Sequence, residues 1–188
     1  TRLSVSFQLK CTLAHIKAKQ VSIRGDSKPA NGPDYHRVRK IGIMTIQHVV
    51  DKPSRAALFL VLEIKDGGEQ ATRDMLTGFA GLFKSVNFRY NEGELYTVVG
   101  IGASMWPRLT SAPMPERLKE FEAIDAAHKA PATPGDILLH FRANTYDLCH
   151  EMARQVLDQL GDAARVIDET HGFKYLDQRD LLGFLDGT

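Results

Sequence analysis

Strand-like and helix-like patterns alternate along this chain, and the alternation occurs twice. Ala56–Lys65 (AALFLVLEIK) is a short apolar run closing on Leu62/Glu63/Ile64/Lys65, the pattern of a central strand. Asp66-Gly67-Gly68 breaks it. From Glu69 to about Val86, apolar residues recur as Met75, Leu76, Phe79, Leu82, Phe83 and Val86, a single helical stripe. Gly78 and Gly81 interrupt that helix at a cost of about 1 kcal/mol each relative to Ala, so they are expected to sit where the helix closely approaches a sheet. After Asn91-Glu92-Gly93, the run Leu95–Ala103 (LYTVVGIGA) reads as a second strand whose glycines pack beneath a helix.

A long connection follows, punctuated by Pro107, Pro113, Pro115, Pro131 and Pro134, with one short helix predicted over Pro115–Ala127. Then the pattern resumes. DILLHFRA sets Ile137, Leu139, Phe141 and Ala143 against Leu138, His140 and Arg142, a half-buried strand in which His140 is expected to be partly exposed. Asn144 is placed to cap the next helix, with Asp147 favouring its positive end. Cys149, Met152, Ala153, Val156, Leu157 and Leu160 form the apolar stripe, and Gly161 the stop. Ala164–Asp177 supplies a fourth strand, interrupted at Gly172. The order β-α-β, connection, β-α-β predicts an α+β, ferredoxin-like split β-α-β fold. Its antiparallel sheet carries both helices on one face and leaves the other for a ligand or a second sheet.

The formal net charge of +1 hides a break. Residues 1–43 hold nine Lys/Arg against Asp26 and Asp34, leaving fifteen basic and twenty-one acidic residues from Met44 onward. Residues 1–43 are therefore set apart as a basic N-terminal extension, non-native or disordered, with a targeting peptide or a basic arm as alternatives; residues 44–188 form the domain. The overall balance points to no nucleic acid, and no run approaches the roughly 18 apolar residues of a membrane span. Two distant cysteines, Cys11 and Cys149, argue against a disulfide framework and fit a reducing, cytoplasmic setting.

Chemistry-bearing motifs are few. The sequence has no phosphate-binding G-x-x-x-x-G-K-[ST], no G-x-S-x-G nucleophile, no H-E-x-x-H zinc site and no C-x-x-C-H haem attachment. None of its seven histidines forms a metal-ligand pair at i, i+3 or i+4. Cys149 falls on an apolar stripe and reads as a small core residue; Trp106 and the tyrosines read as packing. The closing stretch ETHGFKYLDQRDLLGFLDGT (169–188) stands out. Taken alone, its Gly183-Phe184-Leu185-Asp186-Gly187 is a weak signal, because Asp-Gly is a common turn pair.

In full, that stretch resembles the signature of dye-decolorizing (DyP-type) haem peroxidases: a His-Gly-Phe strand, an Arg-Asp-Leu step, then G-x-x-D-G-T. VVGIGASMW (98–106) and ILLHFRAN (137–144) resemble strands of the same family. The resemblance covers about residues 45–188. It implies two consecutive ferredoxin-like halves with haem b between them, of which this chain is the first. Asp186 is then the distal acid–base residue, with Gly187 and Thr188 approaching the haem through their backbone. The substrates are hydrogen peroxide and an aromatic reductant such as a dye or phenol. A carboxylate pKa of about 3.9 in solution suits the acidic optimum typical of the family.

The same resemblance places the iron's proximal His and the assisting distal Arg in a second half beyond Thr188. The chain is accordingly expected to be truncated, cleaved or a partial record, to bind no iron through its own histidines, and to be no competent peroxidase alone. An exposed sheet face predicts homo-oligomers. The alternative is a non-catalytic ferredoxin-like dimerisation or binding module in which Asp186 is an ordinary turn residue.

Overall fold

A computed structural model describes residues 53–185 together with Gln47 and Val49. The basic extension, residues 1–43, lies outside them. Four strands and three helices follow in the order β1 (Ala56–Ile64), α1 (Glu69–Arg89), β2 (Tyr96–Ile101), α2 (Trp106–Leu109), β3 (Ile137–Ala143), α3 (Tyr146–Leu160) and β4 (Ala164–Phe173). The strands form one sheet, β2-β3-β1-β4, antiparallel at every pairing. This is the ferredoxin-like α+β arrangement that the order of patterns implies.

Alternation along β1 divides the sheet into two faces. Leu58, Leu60, Leu62 and Ile64 are buried, joined from β3 by Ile137, Leu139 and Phe141. Met75 and Val86 of α1, and Cys149, Met152, Val156 and Leu160 of α3, complete one core on that face. Full burial of such aliphatic side chains stabilises the fold by about 1.5–3 kcal/mol each. Leu76, Phe79, Leu82 and Phe83 pack partly buried against the core, which accounts for the remainder of the α1 stripe.

Several local expectations give way. Gly78 and Gly81 are exposed, and a Cβ at either would meet nothing within 4 Å; neither marks a close helix–sheet approach. The close approach instead falls at Gly102, where a Cβ would lie 2.5 Å from the carbonyl oxygen of Gly135 and 3.2 Å from that of Asp136. Its own N–H bonds Asp136 O at 2.7 Å, so this glycine of the GIGA run packs against loop backbone. Pro115–Ala127 forms no helix. It holds a turn at Pro115–Leu118, and Ile124 bridges Ala130. Phe121 and Ile124 are exposed, so no apolar face is buried that would offset the cost of nucleating a short helix.

Asn144 is not the cap of α3; Thr145 occupies that position without a side-chain bond. The Asn144 amide instead reaches back to Glu92 O at 3.4 Å, and its backbone N–H bonds Gly93 O at 2.8 Å, tying the end of β3 to the turn before β2. Asp147 does lie in the first turn of α3, and Gly161 ends it with φ +49°. β4 runs unbroken through Gly172, which pairs with Ala57; the irregularity lies between Val61/Asp168 and Leu62/Val166, where Ile167 is the extra residue of a bulge. β4 ends at Phe173, four residues earlier than the pattern suggests.

Two arginines tie the short α2 to its neighbours: Arg73 Nη1 of α1 donates to Arg108 O at 3.0 Å, and Arg108 reaches outward. Arg108 donates to Glu69 Oε1 from Nη2 at 2.7 Å and from Nε at 3.0 Å, and reaches Ile64 O at 3.3 Å. It thereby joins the end of β1, the start of α1 and the entry to the long connection.

Candidate active site

The C-terminal stretch singled out by sequence begins where β4 leaves the sheet. Lys174 N–H still bonds Arg55 O at 2.8 Å, after which the chain turns sharply. Leu176 (φ 43°) and Gln178 (φ 77°) both occupy the left-handed region, a costly conformation for residues with a Cβ. Gln178 and Arg179 N–H groups both bond Tyr175 O, at 3.0 and 3.2 Å. This brings Arg179 against Asp177 as a bidentate pair, Nε to Oδ1 at 2.7 Å and Nη2 to Oδ2 at 3.1 Å. The guanidinium holds the Asp177 carboxyl below its ordinary pKa.

The next seven residues, RDLLGFL, form a miniature hairpin. Arg179 bridges Leu185, and Asp180 N–H bonds Phe184 O at 2.9 Å. Between them Gly183 N–H bonds Asp180 O at 3.1 Å, and Gly183 has φ +95°. A three-residue loop of this kind is a type I turn followed by a left-handed residue, and Asp first with Gly fourth is the sequence such a turn favours. The Asp180 carboxylate reinforces it: Oδ1 accepts from Leu182 N–H and Phe184 N–H, both at 2.9 Å. Arg179 Nη1 donates to Gly183 O at 2.9 Å across the other side. The Leu182, Gly183 and Phe184 N–H groups are thus all bonded to Asp180, while the apolar side chains point away: Leu181, Leu182 and Phe184 are 72%, 80% and 69% exposed.

Asp186, Gly187 and Thr188, the site residues inferred from sequence, lie immediately after this hairpin and outside the described residues. What the structure adds is the apparatus leading into them. In the sequence Asp180 stands out only as part of the Arg-Asp-Leu step, with no role of its own. The D-L-L-G spacing at 180–183 was the available signal.

The remaining candidates separate clearly. Cys149 is buried, its Sγ 4.0 Å from Ala56 O, and burial pushes its thiol up to about 11; it is an inert core residue. His140 is not partly exposed: it is 7% exposed on the sheet face opposite the helices, stacked on Phe59 with ring centroids 4.0 Å apart. Burial first, and then the neighbouring Arg142 charge, lower its pKa to about 4. Its Nε2 has no hydrogen-bond partner among the described residues. His171, by contrast, faces the helix side, where Nε2 lies 2.6 Å from Glu169 Oε1 and 2.9 Å from the Tyr146 hydroxyl.

A family described as Dyp-type peroxidase, N-terminal, matches residues 47–174. The chain belongs to that family. A dye-decolorizing peroxidase of Brevibacterium linens is 50% identical over 145 residues, 77% of this chain and 40% of that protein. Another from Rhodococcus erythropolis is 52% identical over 136 residues, 72% of this chain and 40% of the relative. Among solved structures, the encapsulated DyP-type peroxidase from Mycobacterium smegmatis superposes with a TM-score of 0.73 at 43% identity, over 76% of this chain and 46% of that one. A DypB variant of Rhodococcus jostii RHA1, solved in complex with heme, gives 0.71 at 46% identity over 75% of this chain and 46% of that one. The chain therefore spans about 40% of the length of these curated DyP-type relatives. The family match ends at residue 174, so the hairpin lies C-terminal to it.

Proposed function

We propose that the chain is the N-terminal, distal half of a haem-dependent DyP-type peroxidase that oxidises dyes, phenols or other aromatic reductants with hydrogen peroxide. Asp186 is the acid–base residue, and Gly187 and Thr188 contact haem b through their backbone. The observation that carries this reading is the hairpin, a hydrogen-bonded turn that presents Leu181, Leu182 and Phe184 outward directly before Asp186. Such an apolar wall, directly preceding Asp186 in sequence, suits the distal side of a porphyrin, whose pocket is largely apolar with a few placed polar groups. Haem, when bound, supplies the redox chemistry on peroxide. The residues of this chain exclude water from one side and move a proton: the Asp186 carboxylate takes it from one peroxide oxygen and returns it to the departing one.

No histidine of this chain is assigned to the iron. His140 is buried on the sheet and His171 is engaged with Glu169; the axial ligand belongs to the C-terminal half, along with the assisting Arg. Among the described residues no helix is long and apolar enough to cross a membrane.

The test joins residues 1–188 to the part of the Brevibacterium linens relative that they do not cover. This fused chain is expected to bind haem and to oxidise dye with peroxide, and Asp186→Asn is expected to lose about 10²–10⁴-fold in turnover. Haemin added to the 188-residue chain alone is expected to give no turnover. Robust activity without the second half, or full activity in the fused Asp186→Asn variant, would overturn the assignment.

A further inference from the structure

We infer that Asp180 is a positioning residue for Asp186, acting with Gly183 through the hairpin between them; this rests on the acid–base reading above. Three features support it. The Asp180 side chain is spent on backbone: one carboxylate oxygen collects two N–H groups, from Leu182 and Phe184, on both limbs of the turn. Its own main chain adds the bonds to Phe184 and Gly183 that close the loop. And the Arg179–Leu185 bridge carries this register to the residue adjoining Asp186.

The bonds to Asp180 are exposed, so their contribution to global stability is small. Their value is geometric. Four bonds to Asp180 and one from Arg179 Nη1 to Gly183 O fix the path of a loop whose Leu181 and Leu182 side chains are exposed and lie outside the core. Loss of the Oδ1 acceptor leaves two N–H groups without their shared anchor, and the limb ending at Leu185, next in sequence to Asp186, loses its fixed register. A misplacement of about 1 Å at a catalytic group is enough to cost about 100-fold in rate.

Gly183 offers an independent route to the same hairpin. A Cβ there meets nothing within 4 Å, but φ +95° is unfavourable for any L side chain. Gly183→Ala therefore perturbs the turn through backbone conformation alone, without touching a side chain.

The experiment has two arms. In the 188-residue chain, amide hydrogen exchange at Leu182 and Phe184 is measured for wild type, Asp180→Ala, Asp180→Asn and Gly183→Ala. Ala at either position is expected to speed exchange about tenfold, as for one lost hydrogen bond; Asn, which keeps a carbonyl acceptor, is expected to stay near wild type. In the fused chain, kcat/KM for peroxide is expected to fall about 100-fold in the two Ala variants, through kcat, with haem content by Soret absorbance unchanged and Asn restoring most of it. Unchanged exchange in Asp180→Ala, or equal losses in Asn and Ala, overturns the inference. Faster exchange with wild-type kcat/KM overturns it as well. Asp186→Asn separates the two readings: full activity there sinks the acid–base role and this inference with it, whereas loss there beside normal Asp180→Ala sinks this inference alone.

Discussion

His140 illustrates how a single residue can make stability depend on pH. It is neutral in the fold, stacked on Phe59 and buried beside Arg142, with its pKa lowered to about 4 from 6.5. The unfolded chain binds a proton at this site more readily than the folded one. Stability from this site is therefore full above about pH 6.5 and is lost as pH falls from there through about 4. The shift corresponds to about 3 kcal/mol. Urea midpoints measured from pH 7.5 to 4.5 are expected to fall steeply across the lower part of that range. His140→Phe, which preserves a ring against Phe59 and removes an unsatisfied buried nitrogen, should flatten the slope and raise the midpoint at pH 5. An unchanged slope in His140→Phe would show that other groups carry the acid sensitivity. Sequence alternation placed His140 on the correct face, opposite Leu139 and Phe141. It missed the burial because the covering groups come from other strands: Phe59 of β1 and, in register with it, Val98 of β2.

At the scale of elements, the glycines make opposite predictions from one residue type. Gly78 and Gly81 stand on the exposed side of α1 with room for a methyl group. Gly78→Ala and Gly81→Ala are each expected to stabilise the chain by about 0.4–1 kcal/mol, read as a higher Tm. Gly102→Ala drives a Cβ onto Gly135 O at 2.5 Å, where neither backbone can yield without breaking the Gly102–Asp136 bond, and a loss of about 1–3 kcal/mol is expected. Equal effects at Gly78 and Gly102 would contradict the packing described. The strands, α1 and α3 were legible because each buries a periodic apolar face: Leu58/Leu60/Leu62 at period two, Met75/Phe79/Val86 and Cys149/Met152/Val156 at helical spacing. The Pro115–Ala127 stretch had composition but no partner for Phe121 or Ile124, and propensity without burial did not make a helix. Asn144 had the right residue type for a cap, but its amide went to Glu92 across 52 positions of sequence, a contact that no local pattern encodes. The candidate site divides in the same way: the resemblance that points to it lies in the 169–188 stretch, whereas the hairpin's bonds from Asp180 to both limbs emerge only from geometry.

For the molecule as a whole, the distribution of exposed apolar groups sets the behaviour in solution. Phe173, Leu176, Leu181, Leu182, Phe184 and Leu185 are between 48% and 72% exposed or, for Leu182, 80%; all fall within thirteen residues beyond or at the end of β4. Monomeric proteins seldom display such a concentration without a partner for it. In the reading proposed above, the second half and haem cover this region. Without them, water contacts these side chains, and copies of the chain offer one another the cheapest cover. The 188-residue chain is therefore expected to self-associate, with a sedimentation coefficient that rises with concentration. Replacing Leu181, Leu182 and Phe184 together by Ser should weaken that association while leaving the domain folded, because none of the three contributes to the core formed by β1, β3, α1 and α3. Fusion to the second half should weaken it too, by covering the same residues. A concentration-independent monomer in the parent chain would count against exposed tail residues as the adhesive surface. Association that survives both the triple substitution and the fusion would move that surface to the open sheet face around Phe59 and Leu138.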